Sequence, residues 1–472
     1  MVFSSNVFLI LFLPIFLICY FACPGKWRNI ILLLFSIVFY AYGAPTFILL
    51  LLGSTVINFY LVKLLYKSDN LIHRKLFAGL AILVSLGLLG YFKYANFFVD
   101  NLNAVLGAFG LEPLTFAKVL LPIGISFFSF QSITYVVDTY RNIHKPMERL
   151  TDYMLYIIMF PQLIAGPIVR YCDIADEIRS REQNWSGILQ GFYRFVIGLS
   201  KKVLIADVIG RQVDTLLAGD LLTMGTGTAW ITIIAYTMQL YFDFSGYSDM
   251  AIGLGKIMGF HFPENFDNPY NSASVSEFWR RWHITLGTFM RNYLYIPLGG
   301  NRCSKPRMYF NLWVVFLLSG LWHGASWNFV IWGAYHGFWL VLERIGLGKV
   351  YEKMGKIPSV IITFLIVTIG WAIFRIENLS DAFTFISRLF AFDFQSIVLI
   401  SSPHFYVTLV LAIVLAFIVL SPFGKKMQNW VYYTDFSNNQ HIAVWSASIL
   451  LFIFCLSAIS ATGFSPFIYF KF

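Results

Sequence analysis

Residues Phe278 to Gly337 read FWRRWHITLGTFMRNYLYIPLGGNRCSKPRMYFNLWVVFLLSGLWHGASWNFVIWGAYHG. A dense polar patch leads into an apolar run that ends on Trp322-His323, and a second apolar run follows and contains His336. Six of the chain's Lys and Arg residues fall between Arg280 and Arg307, together with His283. An ionisable residue inside a membrane-spanning run marks a functional site by default, because burying it in lipid is costly. The rest of the chain is expected to hold this patch in a bilayer.

The composition supports that frame. The 472 residues are 58% hydrophobic and only 12% charged, where globular proteins carry roughly a quarter charged residues. A run of about 20 apolar residues spans a bilayer, and roughly ten or eleven such runs can be marked. The expected class is all-α, a polytopic helical membrane protein with about ten to eleven transmembrane helices plus re-entrant and interfacial ones. The net charge of +10 sits mostly in short loops, so it reports membrane orientation and not a nucleic-acid partner. The five cysteines show no paired metal spacing, and no metal site is expected. The N-terminal run has no basic n-region and no small-residue cleavage site, and reads as a retained first span.

Basic residues recur after every second early span, at Lys26 and Arg28, at Lys63 to Lys75, and at Arg141 to Arg149. With Lys425 and Lys426 these loops are expected in the cytoplasm and the N-terminus outside. Ala95 to Lys118 then reads as an external loop. YMLYIIMFPQLIAGPIVRY is broken by Pro161, Gly166 and Pro167 and suits a re-entrant segment, which is tolerated only where protein or a watery cavity surrounds it. The stretch carrying Arg194, Lys201 and Lys202 reads as an interfacial helix. YFDFSGYSDM reads as an interruption at which Asp243 and Asp249 line a cavity or end a helix. Plain spans return at Pro358–Phe374, His404–Leu420 and His441–Ala461, and the closing FSPFIYFKF is expected at the membrane interface.

His323 is the sharpest chemical candidate. A neutral imidazole at a helix end can take a proton from a hydroxyl near neutral pH; the alternative is a packed histidine donating to a backbone carbonyl. Asn328, Trp332 and His336 fall at i, i+4 and i+8, with Trp339 and Glu343 near the same stripe, so His336 is a supporting residue. Arg280 and Arg281, beside His283, match phosphate geometry, and an interfacial helix with its arginines at the headgroups explains them equally. No nucleophile elbow, zinc-protease signature or phosphate loop is present.

The runs FPQLIAGPIVRY, NPYNSASVSEFWRRWHITLGTFMRNYLYIPLGGNR and GLWHGASWNFVIWGAYHG resemble the membrane-bound O-acyltransferase family, MBOAT. The opening MVFSSNVFLILFLPIF and the ending SPFIYFKF resemble its branch of alginate O-acetylation membrane subunits. The resemblance covers essentially the whole chain and implies one transmembrane domain over residues 1–472, acting as an O-acyltransferase. It places the catalytic histidine of the family's WHG motif on His323, beside Trp322, and the histidine of its RWH motif on His283. Gln162, Asn268 and Asp207 lie in other motifs of the branch as supporting residues. It further implies an acyl thioester donor, acetyl-CoA foremost, bound as a substrate near Arg280 and Arg281, with no resident cofactor. The acceptor it implies is an envelope polysaccharide such as alginate, with peptidoglycan, cellulose or another polymer as alternatives. The implied setting is multi-pass in the bacterial inner membrane, among membrane lipid, with an extracytoplasmic hydrolase-type acetyltransferase as partner. A transporter-like, acyl-translocating subunit is the competing class; it should show structural repeats, and none is visible.

Overall fold

The computed structural model describes residues 1–394, 402–463 and 466–468, which form helices and loops with no strand among them. Among the described residues, five helices are long and apolar enough to cross a bilayer: Pro45–Lys67, Leu71–Ala108, Lys356–Arg375, Pro403–Leu420 and Asn438–Thr462; Val7–Ala22 is a shorter apolar helix. Their outward faces carry exposed Leu49, Leu83, Val407 and Phe454, the surface a lipid-facing helix needs. The three C-terminal spans fall where the sequence places them. The chain divides into two compact units, Met1–Asn184 with Met258–Pro263, and Trp185–Ile257 with the chain from Glu264 on.

The first unit holds α1 (Leu13–Ala22), α2 (Arg28–Gly43), α3 (Ile48–Lys67), α4 (Leu71–Ala108), α5 (Ile125–Tyr140), α6 (Leu150–Ile158) and α7 (Tyr171–Arg179). The 38 residues of α4 measure ~57 Å at about 1.5 Å each, nearly twice the ~30 Å hydrocarbon thickness. Residues 95–108, expected in an external loop, are therefore the last turns of this helix. Asn96 and Asn103, one above the other on its face, explain the difference. Asn96 pairs with both the N–H and the C=O of Val119 (3.0 and 2.8 Å), and Asn103 does the same with Leu114 (2.7 and 3.1 Å). The chain after the helix is thus tied back along it.

The broken segment behaves as its prolines and glycine require. α6 stops at Ile158, and residues 159–169 continue without helix, all buried. Phe160 fills a nest of phenylalanines, with Phe12, Phe16 and Phe39 at 5.2–5.5 Å between ring centres, while its N–H reaches Ser36 Oγ at 3.1 Å. Gly124 adopts φ +78°, and a side chain there would strike the Leu163 carbonyl at 2.5 Å. Buried backbone must find partners, and here Ser36 of α2 and Tyr156 of α6, which donates to the Val169 carbonyl at 3.0 Å, are among those that supply them.

The second unit holds α8 (Trp185–Ser200), α9 (Asp207–Leu217), α10 (Thr226–Ile257), α11 (Val275–Arg281), α12 (Ile284–Phe289), α13 (Lys305–His323), α14 (Trp327–Leu342), α15 (Gly348–Met354), α16 (Lys356–Arg375), α17 (Leu379–Leu389), α18 (Pro403–Phe417), α19 (Pro422–Tyr433) and α20 (Asn438–Thr462). α8 does not present its basic residues outward, as the interfacial reading expects. It crosses α10 with Gly191 against Gly253 and Gly198 against Gly246, where an added Cβ would meet the opposing carbonyl at 2.7 and 2.5 Å. Small residues two turns apart let backbones approach closely, the usual solution for helices in lipid. The close approach turns Arg194, Lys201 and Lys202 inward, against α10.

Nor is α10 interrupted. YFDFSGYSDM is helical from end to end, because its two carboxylates meet those cations. Lys202 Nζ lies 2.6 Å from Asp243 and 2.8 Å from Asp207. Lys201 and Arg194 contact Asp249 at 2.6 and 2.9 Å. Of the closing FSPFIYFKF only Pro466, Phe467 and Ile468 are described. Lys202 donates to the Pro466 carbonyl and lies over the Phe467 ring, and the Ile468 N–H donates to Asp243. The expectation for the other residues of that stretch lies outside the described residues.

Candidate active site

His323 ends α13. Its ring is buried, and Nδ1 stands 2.7 Å from the Ser319 carbonyl, one turn back on the same helix. A carbonyl only accepts, so Nδ1 carries the proton and, in the neutral ring, the lone pair lies on Nε2. Gly324 stops the helix with extended backbone, and the ring of Phe329 occupies the place a side chain would take. α14 then returns along α13, with Gly320 and Gly333 admitting the backbones of Phe329 and Phe316. Glycine spacing thus builds the hairpin that presents this imidazole.

His283 is placed by a different device. It sits between α11 and α12 with φ +47°, a conformation that a non-glycine residue adopts only where its surroundings enforce it. Backbone pairing does so: Asp267 N–H donates to the Arg281 carbonyl at 2.9 Å and Ile284 N–H to the Asn265 carbonyl at 3.0 Å. The Asn265 side chain completes the clamp. Its Oδ1 accepts from Thr285 Oγ1 at 2.9 Å and from the Thr285 N–H, and its Nδ2 donates to Ser248 Oγ at 3.1 Å. That orientation makes His283 Nδ1, 3.1 Å from Oδ1, a donor. Both histidines therefore hold the proton on Nδ1 and the basic lone pair on Nε2.

A chain of rings joins them. Trp322 lies 5.8 Å from His283 and 4.9 Å from His323, and Trp332 lies 4.9 Å from His323 and 5.1 Å from His336. His336 is enclosed by Trp279, Trp332 and Tyr335, and neither ring nitrogen has a hydrogen-bond partner among the described residues. It is a packing residue beside the other two. Glu343, on the same stripe, accepts the N–H groups of Val275 and Ser276 and caps α11.

Asn265 and Ser248 also line a cavity of about 320 Å³, together with Arg194, Lys201, Asp249 and Asn268. Asn268, at φ +47°, donates to Asp267 and to Gln428 at 3.0 Å, so it shapes the wall of this cavity. Asp207 is engaged with Lys202. Arg281 pairs with Glu277 at 2.7 Å, and Arg280 is exposed; neither lines this cavity. Gln162 belongs to the first unit, where its Nε2 donates to the Tyr156 carbonyl at 2.5 Å and closes the end of α6. The sequence reading passed over Asn265, Thr285 and Ser248. Asn265 lies in a turn-forming stretch rich in asparagine, and its link to His283 is made by tertiary pairing.

The profile of the MBOAT, membrane-bound O-acyltransferase family matches residues 137–348, a span that includes every site candidate named above. Among curated proteins, the chain is 46% identical to a probable alginate O-acetylase of Pseudomonas aeruginosa over 430 residues, 90% of this chain and 82% of the relative. A protein of the same description from Pseudomonas putida is 42% identical with both chains covered completely. The peptidoglycan O-acetyltransferase of Helicobacter pylori is 37% identical over 81% of this chain and 78% of its own.

Proposed function

Because the chain belongs to the membrane-bound O-acyltransferase family and is an O-acyltransferase of a multi-pass membrane fold, we propose that it passes acetyl groups from a cytoplasmic thioester outward. The acceptor we propose is the hydroxyl of an alginate-like envelope polysaccharide, in the inner membrane of a bacterium. The observation that supports the chemistry is the Ser319 hydrogen bond, which leaves the basic nitrogen of a buried imidazole on the ring's other edge. In this reading the hydroxyl of a first acceptor, on the route to the polymer, gives its proton to Nε2 of His323 while its oxygen bonds to the thioester carbonyl carbon. The tetrahedral intermediate then expels the thiolate, which takes that proton from His323. His283, held by Asn265, offers a second basic nitrogen in the same ring chain for the proton's path. The donor is acetyl-CoA, a substrate whose phosphates suit Arg280, the exposed member of the arginine pair. A hydrolase-type acetyltransferase outside the membrane is the partner that completes delivery to the polymer.

The relative named for peptidoglycan supports that polymer as the second acceptor. Acetyl content measured polymer by polymer in a strain lacking this protein separates the two. Loss from the exopolysaccharide alone is expected. Loss from peptidoglycan alone transfers the acceptor assignment, and loss from neither overturns the reading.

A further inference from the structure

A second cavity, remote in sequence from the histidines, opens in the first compact unit. Its volume is about 630 Å³, inside the roughly 300–1,000 Å³ range of ligand pockets. Lys26, Arg28, Arg149, Arg179 and Arg181 line it against two carboxylates, Glu148 and Asp152. The cations outnumber their counter-charges. Arg179 meets Asp176 at 3.8 Å, and Asp176 is largely exposed and outside the lining. Among the described residues, the other four cations form no ion pair within 4.0 Å.

Two of these guanidinium groups are fixed by neutral partners. Arg28 is held by the Gln183 side chain and lies over the rings of Tyr20 and Phe21. Arg181 donates to Asn29 Oδ1 at 2.7 Å, Tyr20 Oη at 2.8 Å and the Met258 carbonyl at 2.9 Å. Arg28 Nε is buried with no hydrogen-bond partner among the described residues. Guanidinium groups held in place without counter-charges are suited to a bidentate oxyanion, phosphate above all.

The surroundings say which phosphate. Lys26 and Arg28 flank Trp27, 53% exposed, in the short connection between α1 and α2. Tryptophan beside basic residues marks headgroup depth, and the basic loops place this end of the unit in the cytoplasm. Ile18 on α1 and Leu34 on α2 present exposed apolar side chains, so the cavity opens where lipid-facing helices end. We propose that it binds the phosphodiester headgroup of an anionic phospholipid. The bound phosphate supplies the missing counter-charge and ties the α1–α2 connection to the starts of α6 and the end of α7.

The test uses the full-length protein in neutral detergent, titrated with phosphatidylglycerol, phosphatidylcholine or inorganic pyrophosphate. Retained lipid is read by native mass spectrometry and the thermal midpoint by unfolding. Phosphatidylglycerol is expected to be retained and to raise the midpoint, and the other two to do neither. Lys26→Gln with Arg149→Gln removes two exposed cations that make no hydrogen bond or ion pair among the described residues, so the fold is kept. Affinity for phosphatidylglycerol should fall roughly thirtyfold, the effect of two cations at a membrane surface. Arg28→Gln should weaken it further if that variant remains folded. Unchanged retention by the double variant overturns the site. A midpoint raised equally by pyrophosphate overturns the lipid in favour of a soluble phosphate ligand. The readout is binding, so this outcome is independent of acyl transfer.

Discussion

The bond from His323 Nδ1 to the Ser319 carbonyl serves both a packed histidine and a general base, and only kinetics separates those roles. General bases contribute about 10²–10⁴-fold to rate, whereas a supporting hydrogen bond is worth roughly 0.5–1.5 kcal/mol. His323→Ala should therefore reduce polymer acetylation by at least about a hundredfold, while the purified protein keeps its yield and its unfolding midpoint. Retention of more than about a tenth of the activity would return His323 to packing, with His283 the next candidate. His336→Phe preserves a ring among Trp279, Trp332 and Tyr335 and should leave turnover within about threefold, since no hydrogen bond is lost. Asn265→Ala removes the acceptor of His283 Nδ1 and of Thr285. A fall in kcat of about tenfold is expected, with the donor KM unchanged. Partial recovery in Asn265→Asp, which retains the acceptor oxygen, would distinguish positioning from general damage. An equal loss in both variants with a lowered midpoint would show a purely structural role.

At the scale of elements, the α8–α10 crossing explains why charges sit among apolar helices. Four glycines bring the two backbones together, and the cations that follow are then enclosed with Asp207, Asp243 and Asp249. The side chains of Lys202 and Asp243 are each 2% exposed, so neither charge has water to fall back on. Removing one partner of such a pair costs about 3–5 kcal/mol, whereas replacing the whole group with neutral residues is often tolerated. Lys202→Met should lower the unfolding midpoint sharply, and adding Asp243→Asn and Asp207→Asn should recover most of the loss. A single variant as stable as the parent would show that water or lipid headgroups reach the pair. This also revises the sense in which Asp207 supports the site: the contact at 2.8 Å to Lys202 makes it part of the frame.

For the whole molecule, orientation is the property that the charge pattern predicts most directly. Asn70→Cys and Lys145→Cys, introduced after the five native cysteines are replaced, should resist a membrane-impermeant thiol reagent in intact cells and react after permeabilisation. Reaction at either position in intact cells would invert the topology and move the basic cavity of the first unit to the outer face.

Hydropathy and loop charge determined by themselves that this is a helical membrane protein, the pattern of polar residues marked His283 and His323, and the resemblance of the motif runs to the O-acyltransferase family supplied the activity. Those features are local: a lipid-facing run must be apolar along its own length, and a WHG turn is read in three consecutive residues. The sequence could not decide where a helix stops when the stopping group is distant. α4 runs on because Asn96 and Asn103 hold a returning segment, and α10 runs on because Lys201, Lys202 and Arg194 neutralise its carboxylates from another helix. The pairing of Asn265 with His283 was equally out of reach, since it joins residues 18 apart through a turn that no periodicity encodes. Tertiary structure decided each of these, because a buried polar group is stable only with its partner, and the partner is chosen by the fold.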